Sequence, residues 1–315
     1  MGRCEPLSMI VSETDSLNGR IVCGTDFSAL ASEAANAAAV MTMRLKQPLL
    51  LFPAPPENLH GELPASVRDW LLGLVHERLL AEATRLHRLG AVVEARMLDG
   101  LADEGIAECF QNCDAALVLL GASEHELRKR CLAGETVDAL AEWSPISTLL
   151  VRTAEPFQQW TRGERALRIL VASDPAKSSQ DALRCVRGLR RIGPCEVTIG
   201  YALDDSTEGD ADTPTPQEIA ALVGDENVAV CVMHGPVDVY RTMLDLARET
   251  HPDLLVVGSP QHHDLTPWPH LSVARAVLRH FPLNVICAPR QVAPLTMRTP
   301  GSMSAAIPAP FASLP

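Results

Sequence analysis

Short apolar runs alternate with amphipathic or alanine-rich stretches along most of the chain. In the first half, strands are predicted at residues 21–25, 48–53, 91–98, 115–120 and 146–151. Helices are predicted at residues 29–44, 65–89, 102–112 and 136–142, with Ser28 capping the first and Gly90 closing the second. Because strands buried on both faces are continuous apolar runs, the pattern predicts a parallel sheet covered by helices on both sides.

The longest predicted helix, at residues 65–89, has apolar residues at helical spacing. They are Val67, Trp70, Leu71, Leu74, Val75, Leu79 and Leu86. The spacing predicts one long amphipathic helix.

The same order returns in the second half of the chain, which indicates an internal duplication. The run RIVCGTD at Arg20–Asp26 is echoed by RILVASD at Arg168–Asp174. Strands are predicted at residues 168–173, 195–202, 227–233, 253–257 and 284–288. The middle of this copy is reduced, with a short segment at 217–223 in place of the long helix and an acidic loop at 204–215.

The length of 315 residues suits two domains that each bury a core. The predicted organisation is an irregular lead at 1–19, a first domain at 20–152, a linker at 153–166 and a second domain at 167–290. A proline-bearing tail at 291–315 is predicted to be disordered.

Composition narrows the class of partner. The net charge of −12 argues against nucleic acid and acidic membrane surfaces. The apolar runs are of strand length and too short to span a membrane, and no secretory signal is expected at the start. Nine scattered cysteines, an odd number, indicate a reducing compartment, so a cytoplasmic protein is expected.

The duplicated pattern resembles the universal stress protein family. The shared features are a first strand ending in Asp with Ser close behind, a fourth strand ending in Gly, and a last strand after a proline. The resemblance implies two tandem Rossmann-like domains of the adenine nucleotide alpha hydrolase-like type. Each would be a five-stranded, mostly parallel sheet with helices on both faces. By analogy with separate subunits, the two copies would pack together near their final strands, and a homo-oligomer is a further candidate assembly.

Nucleotide-binding members of this family carry a loop of pattern G-x2-G-x9-G-[S/T], and the first copy keeps part of it. Its glycines let the backbone approach phosphates closely. Gly121 and Gly134 match, whereas Glu124 replaces the second glycine and Glu135 the hydroxyl residue. Thr136, one position further on, is the candidate substitute for that hydroxyl.

The second copy keeps a different part of the loop. Gly258 and Ser272 match, and Gln261 and Leu271 occupy the other two glycine positions. Side chains at these positions obstruct the approach of phosphates, so both loops are interpreted as degenerate.

Two interpretations remain open for the residues at the strand ends. Asp26 and Asp174 would contact adenine or ribose at the carboxyl edge of the sheet, or would serve as turn and cap residues. Gly121 and Gly258 would approach phosphate, or would permit a tight turn after the strand.

The sequence gives weaker support for a metal or redox site. Cys109 and Cys113 are spaced for one helix face, and His262, His263 and His270 share a loop flanked by prolines. Buried thiols and an exposed polar loop are the interpretations adopted, so no metal site is predicted.

No Walker loop, nucleophile elbow, HExxH or paired CxxC is present, so no catalytic residue is assigned. The leading hypothesis is a non-catalytic stress protein that acts through binding or regulation. The alternative is a regulator that binds ATP or another adenine nucleotide, or a weak ATPase, with its site in the first copy.

Overall fold

The computed structural model describes most of both copies. The described residues are 19–53, 63–97, 115–122, 146–173, 179–203, 228–234, 239–258, 277 and 281–289. The segments predicted at 102–112, 136–142, 204–215 and 217–223, the lead and the tail lie outside these ranges. No helix in the described ranges is both long enough and apolar enough to cross a bilayer.

The described residues of the first copy form five strands and two helices in the predicted order. They are β1 (Arg20–Thr25), α1 (Ala29–Leu45), β2 (Leu49–Pro53), α2 (Ala65–Arg88), β3 (Val93–Ala95), β4 (Ala115–Gly121) and β5 (Ser147–Val151). Ser28 caps α1, and Gly90 has a φ of 101° just after α2, so both predicted helix boundaries are confirmed. Only β3 is clearly shorter than predicted.

A short helix, α3 (Glu155–Thr161), follows β5 in the segment predicted to be a plain linker. The described residues of the second copy then form five strands and two helices of eight or more residues. They are β6 (Leu167–Ser173), α4 (Ser179–Arg190), β7 (Cys195–Leu203), β8 (Ala229–His234), α5 (Val239–Thr250), β9 (Leu254–Gly258) and β10 (Asn284–Ala288).

All ten strands form one sheet, in the order β3-β2-β1-β4-β5-β10-β9-β6-β7-β8. Within each copy the strands are parallel and follow the same internal order. The copies meet where β5 and β10 pair antiparallel, with Leu149 opposite Ile286. The carboxyl ends of the strands therefore lie at opposite edges of the sheet in the two copies.

The hydrophobic core crosses the junction between the copies. On one face of the sheet, a single buried cluster includes Leu79 of α2, Trp160 of α3, Val186 of α4 and Ile286 of β10. On the other face, Leu150 of β5 packs in a cluster formed mainly by the second copy, which includes residues of α5. Described helices thus lie on one face along both copies and on the other face in the second copy, and the described core is shared between the copies.

The segment between the copies is part of the core. Phe157 and Trp160 of α3 are fully buried, and the indole N–H of Trp160 donates to the carbonyl of Pro194 at 2.8 Å. At the start of this segment, the backbone N–H of Ala154 donates to the Glu33 carboxylate of α1 at 2.7 Å. The predicted linker is therefore a structured bridge between α1 and the second copy.

Asn284, at the start of β10, joins three segments at the junction. Its side-chain oxygen accepts hydrogen bonds from the backbone N–H groups of Arg152, at 2.8 Å, and Thr153, at 3.2 Å. Its amide NH2 donates to the carbonyl of Asp253 at 3.1 Å. Because Asn284 is 1% exposed, these bonds are shielded from water and fix the end of the first copy against the second.

The Asp253 carboxylate is buried beside the same junction. It accepts from the Arg165 guanidinium through both oxygens and from the backbone N–H of Arg168 at 3.0 Å. Burial acts to raise the pKa of Asp253, but the hydrogen bonds from Arg165 and Arg168 outweigh it and hold the pKa below its ordinary value. The ionised carboxylate is therefore the form that the folded chain stabilises.

We expect Asp253→Asn to lower the free energy of unfolding by about 1–2 kcal/mol at neutral pH. A depressed carboxyl pKa adds stability above the unfolded-state pKa of about 3.9, and this is lost as pH falls through the lower folded-state pKa. Urea unfolding of both proteins should therefore show a gap that closes below about pH 4. Asp245→Asn, in the exposed pair of Asp245 and Arg248, is the control with a small effect. A gap independent of pH would contradict the assignment.

The predicted long helix is confirmed as α2, but only part of its apolar spacing is buried. Val75, Leu79 and Leu86 are buried. Val67 and Leu74 are each 39% exposed and Trp70 is 63% exposed, and Leu71 is only partly buried. The first turns of α2 extend beyond the core, so the apolar side chains there remain exposed.

Candidate functional site

The candidate site of the first copy lies where the strand order reverses, between the carboxyl ends of β1 and β4. Asp26 directly follows β1, and Gly121 is the last residue of β4. Cys23 pairs with Leu119 in register, so the two strands end at the same level. Crevices at such reversals are the usual ligand sites of open α/β sheets.

The turn from β1 into α1 is held by its own side chains. The Thr25 hydroxyl accepts from the N–H of Phe27 at 3.0 Å, and Asp26 Oδ1 accepts from the N–H of Ser28 at 2.9 Å. Ser28 Oγ accepts from the N–H of Ala31 at 3.1 Å. Phe27 has a φ of 63°, a left-handed conformation that costs a non-glycine residue about 1 kcal/mol or more. This tight turn presses the first turn of α1 onto the sheet edge.

Asp26 thus serves as a turn residue, one of the two roles expected from the sequence. Its carboxylate is exposed, and among the described residues none donates to Oδ2. One oxygen is engaged in the turn, and the residue lies at the carboxyl edge of the sheet, where ligands of open α/β folds bind.

Gly121 is required by packing. A Cβ atom on Gly121 would lie 2.4 Å from the backbone nitrogen of Ala31 and 2.5 Å from the carbonyl carbon of Leu30. These are backbone atoms of the first turn of α1, which cannot move aside as a flexible side chain can. The glycine therefore has a structural reason that does not involve phosphate, and close helix contact rather than a turn explains it.

Gly258 occupies the equivalent position in the second copy, at the end of β9. It pairs in register with Ala288 of β10, and the neighbouring strand β6 ends at Ser173. The described part of the second copy places no further site residue next to it.

Four of the predicted binding residues lie outside the described residues: Gly134, Thr136, Asp174 and Ser272. The same holds for the substitutions Glu124, Glu135, Gln261 and Leu271, and for the predicted cysteine pair and histidine loop. Among the described residues, the structure brings together Asp26 and Gly121, and it leaves the interpretation of both loops as a prediction.

The residues that shape and anchor the turn at this site were not predicted from the sequence. Thr25 and Phe27 shape the turn, and Glu33 ties α1 to the bridge between the copies. Thr25 could have been identified as a turn residue, because it is a hydroxyl residue directly before Asp26. Nothing local marks Glu33, because its partner is the backbone of Ala154, far along the chain.

Three of the described thiols are poorly suited to nucleophilic chemistry. Burial raises the pKa of Cys185 and of Cys195 to about 12, and it also raises the pKa of Cys23. Since the thiolate is the reactive form, these thiols are protonated and inert at neutral pH. No group of three or more histidine, cysteine or carboxylate side chains in the described ranges is arranged to hold a metal ion.

Similarity to solved structures supports the fold. A universal stress protein from Archaeoglobus fulgidus DSM 4304 matches with a TM-score of 0.66 and 14% identity, over 88% of this chain and 100% of that one. A protein of unknown function from Pseudomonas aeruginosa PAO1 matches with a TM-score of 0.54 and 17% identity, over 87% of this chain and 94% of that one. No curated protein sequence matches this chain.

The sequence model of the universal stress protein family matches twice, at residues 18–152 and 166–289. The two matches cover well over half of the chain and coincide with the two copies that build the sheet. This chain belongs to the universal stress protein family and carries two copies of its domain in tandem.

Proposed function

We propose that this universal stress protein acts in the stress response through a non-catalytic binding or regulatory role, with degenerate nucleotide loops in both copies. The observation that carries the proposal is the contact between Gly121 and α1. Packing against the backbone of Ala31 accounts for this glycine without a phosphate, so its presence is no evidence for a nucleotide site.

The sequence of the first loop adds a physical obstacle. A carboxylate at Glu135 beside a nucleotide phosphate would cost about 1–4 kcal/mol per charge pair at contact distance, depending on the local dielectric. A nucleotide bound with a Kd near 1 µM has about 8 kcal/mol of binding free energy, so a few such repulsions remove most of it.

A binding role also agrees with the chemistry of the described residues. The thiols of Cys23, Cys185 and Cys195 are held protonated by burial, so they are unsuitable nucleophiles. None of the five described cysteines forms a disulfide bond. Free thiols fit the reducing cytoplasm, which is the compartment we propose. The two copies would act as one body, since they share a sheet and a core.

A second candidate function is adenine-nucleotide binding in the first copy, with regulation or weak ATP hydrolysis as the output. The observation in its favour is the exposed Asp26 carboxylate at the reversal of strand order. A carboxylate at this edge of an open α/β sheet can accept a hydrogen bond from a ribose hydroxyl.

Acid treatment of the purified protein distinguishes the two candidates. We expect no adenine nucleotide in the supernatant by ion-exchange chromatography, and no release of phosphate from added ATP above a protein-free blank. Recovery of nucleotide near one equivalent per chain would favour the second candidate. A universal stress protein domain that retains all glycines of the loop is the positive control.

A further inference from the structure

The C-terminal ends of α1 and α4, one helix from each copy, meet in the folded chain. The Arg44 guanidinium of α1 donates through Nε to the carbonyl of Ile192, two residues past the end of α4, at 3.2 Å. These residues are 148 positions apart, which is also the offset between the repeated runs that begin at Arg20 and Arg168. Equivalent helix ends therefore lie side by side, and a surface formed there belongs to both copies.

Basic side chains are concentrated at this meeting point. Three are spaced three and four residues apart at the end of α4, so they lie on one side of the helix, and two more lie at the end of α1. We name these five residues the basic junction surface: Arg44, Lys46, Arg187, Arg190 and Arg191. All are exposed except Arg190, which is partly buried. The last two turns of α1 and of α4 contain no acidic residue.

Stabilisation of the helix ends explains only part of this charge. Basic side chains are favourable near helix C-termini, and Arg44 also satisfies the carbonyl of Ile192. Five like charges around two adjoining helix ends repel one another, however, and this repulsion opposes the gain. An anionic partner would remove the repulsion, so the surface is better suited to binding than to stabilising the fold.

We propose that the basic junction surface binds a short acidic segment of a partner protein. Guanidinium groups bind carboxylates through two parallel hydrogen bonds, and four of the five residues are arginines. Arg187, Arg190 and Arg191 also make contacts within the chain, but a guanidinium has five N–H donors and can serve a second acceptor. This partner class rests on the proposed binding role of the chain, which it makes specific.

A short acidic segment fits this surface better than a long polyanion does. The whole chain has a net charge of −12, so a nucleic acid that extends beyond the basic junction surface would meet a surface that is acidic on average. The last two turns of α1 and of α4 contain no aromatic residue on which bases could stack. A partner whose carboxylates are confined to one short segment gains the attraction without that repulsion.

Fluorescence anisotropy of a labelled octaglutamate peptide, titrated with the full chain, tests this partner class. We expect a Kd of about 10–100 µM at about 50 mM NaCl, and severalfold weaker binding at about 200 mM, because salt screens exposed charges. Octaglutamine and an oligouridylate of eight nucleotides should bind more weakly than octaglutamate. An absence of octaglutamate binding at low salt, or tighter binding of the oligouridylate, would overturn the proposal.

Charge reversal locates the binding surface. Arg187→Glu combined with Arg191→Glu should raise the Kd at least about tenfold, because two attractive contacts become repulsive. Arg68→Glu combined with Arg78→Glu, at exposed positions of α2 outside the basic junction surface, is the matched control, because it changes the net charge equally. Equal effects of the two double variants would show a response to net charge alone and would overturn the proposal.

A milder pair of substitutions covers the case in which charge reversal unfolds α4. Arg187→Gln combined with Arg191→Gln should raise the Kd about three- to tenfold, with an unchanged circular dichroism spectrum. Recovery of nucleotide from the purified chain would contradict the proposed function, whatever the peptide does. A chain that holds no nucleotide and binds no octaglutamate would overturn the acidic partner alone.

Discussion

Trp160→Ala should lower the free energy of unfolding by about 3–5 kcal/mol, as truncation of a large buried aromatic side chain does. Trp160 is 1% exposed in the cluster that crosses both copies. Its loss would leave a cavity under α3 and would remove one of the two donors to the carbonyl of Pro194, which also accepts from the backbone N–H of Leu167 at 3.0 Å. Gly193 also packs against the indole, since a Cβ there would lie 2.6 Å from its nitrogen. Urea unfolding monitored by far-ultraviolet circular dichroism measures the change.

Trp160→Phe separates the effect of the cavity from the effect of the lost hydrogen bond. It keeps most of the apolar volume and removes the hydrogen bond, so a smaller loss of about 1–2 kcal/mol is expected. Because α3 bridges the copies, Trp160→Ala should destabilise the chain in a single transition. A variant in which only the second copy unfolds early would show that the described core is not shared.

Gly121→Ala should destabilise the fold by about 2–4 kcal/mol, although it adds only one methyl group. The new Cβ would overlap backbone atoms of Leu30 and Ala31, so α1 must shift away from the end of β4. The shift would also disturb the turn that holds Asp26. Chemical unfolding at neutral pH gives the loss directly.

Gly73→Ala is the matched control for the same chemical change. Nothing lies within 4 Å of the added atom, and the substitution should raise stability by about 1 kcal/mol through helix propensity alone. Equal effects at the two glycines would contradict the packing role assigned to Gly121.

The architecture was accessible from the sequence because strands buried on both faces read as apolar runs. β10 was predicted at its observed boundaries, and β1 and α1 within one residue at an end. Repetition of the pattern predicted two equivalent units. The joining of ten strands into one sheet depends on the pairing of β5 with β10, which no local pattern encodes.

Contacts between distant residues explain what the sequence analysis missed. Trp160 and Phe157 are spaced as a buried helix face, but the short segment between the copies gave no reason to expect a core element. The exposed apolar residues of α2 could not be told from the buried ones, because apolar spacing does not show where the sheet beneath a helix ends. For Gly121, the sequence offered phosphate binding or a turn, and only the position of α1 revealed backbone contact.

A glycine at the end of a strand can serve packing or can serve a ligand, and the proposed function depends on which role Gly121 has. In the first copy, the described part of the site consists of the exposed carboxylate of Asp26 and of Gly121, which packs directly against the backbone of α1. Neither residue supplies a phosphate cradle. The loop that would supply one carries glutamate at two of its key positions, Glu124 and Glu135.

Calorimetric titration with ATP and AMP tests this account most directly. We expect no heat of binding from the wild-type chain at about 1 mM ligand, which corresponds to less than about 4 kcal/mol of binding free energy. Glu135→Ser should create measurable binding if the carboxylate is the obstacle, and Glu135→Gln should recover less because it lacks the hydroxyl. Saturable binding of ATP to the wild type with a micromolar Kd, abolished by Asp26→Asn, would contradict the account and establish the first copy as a nucleotide site.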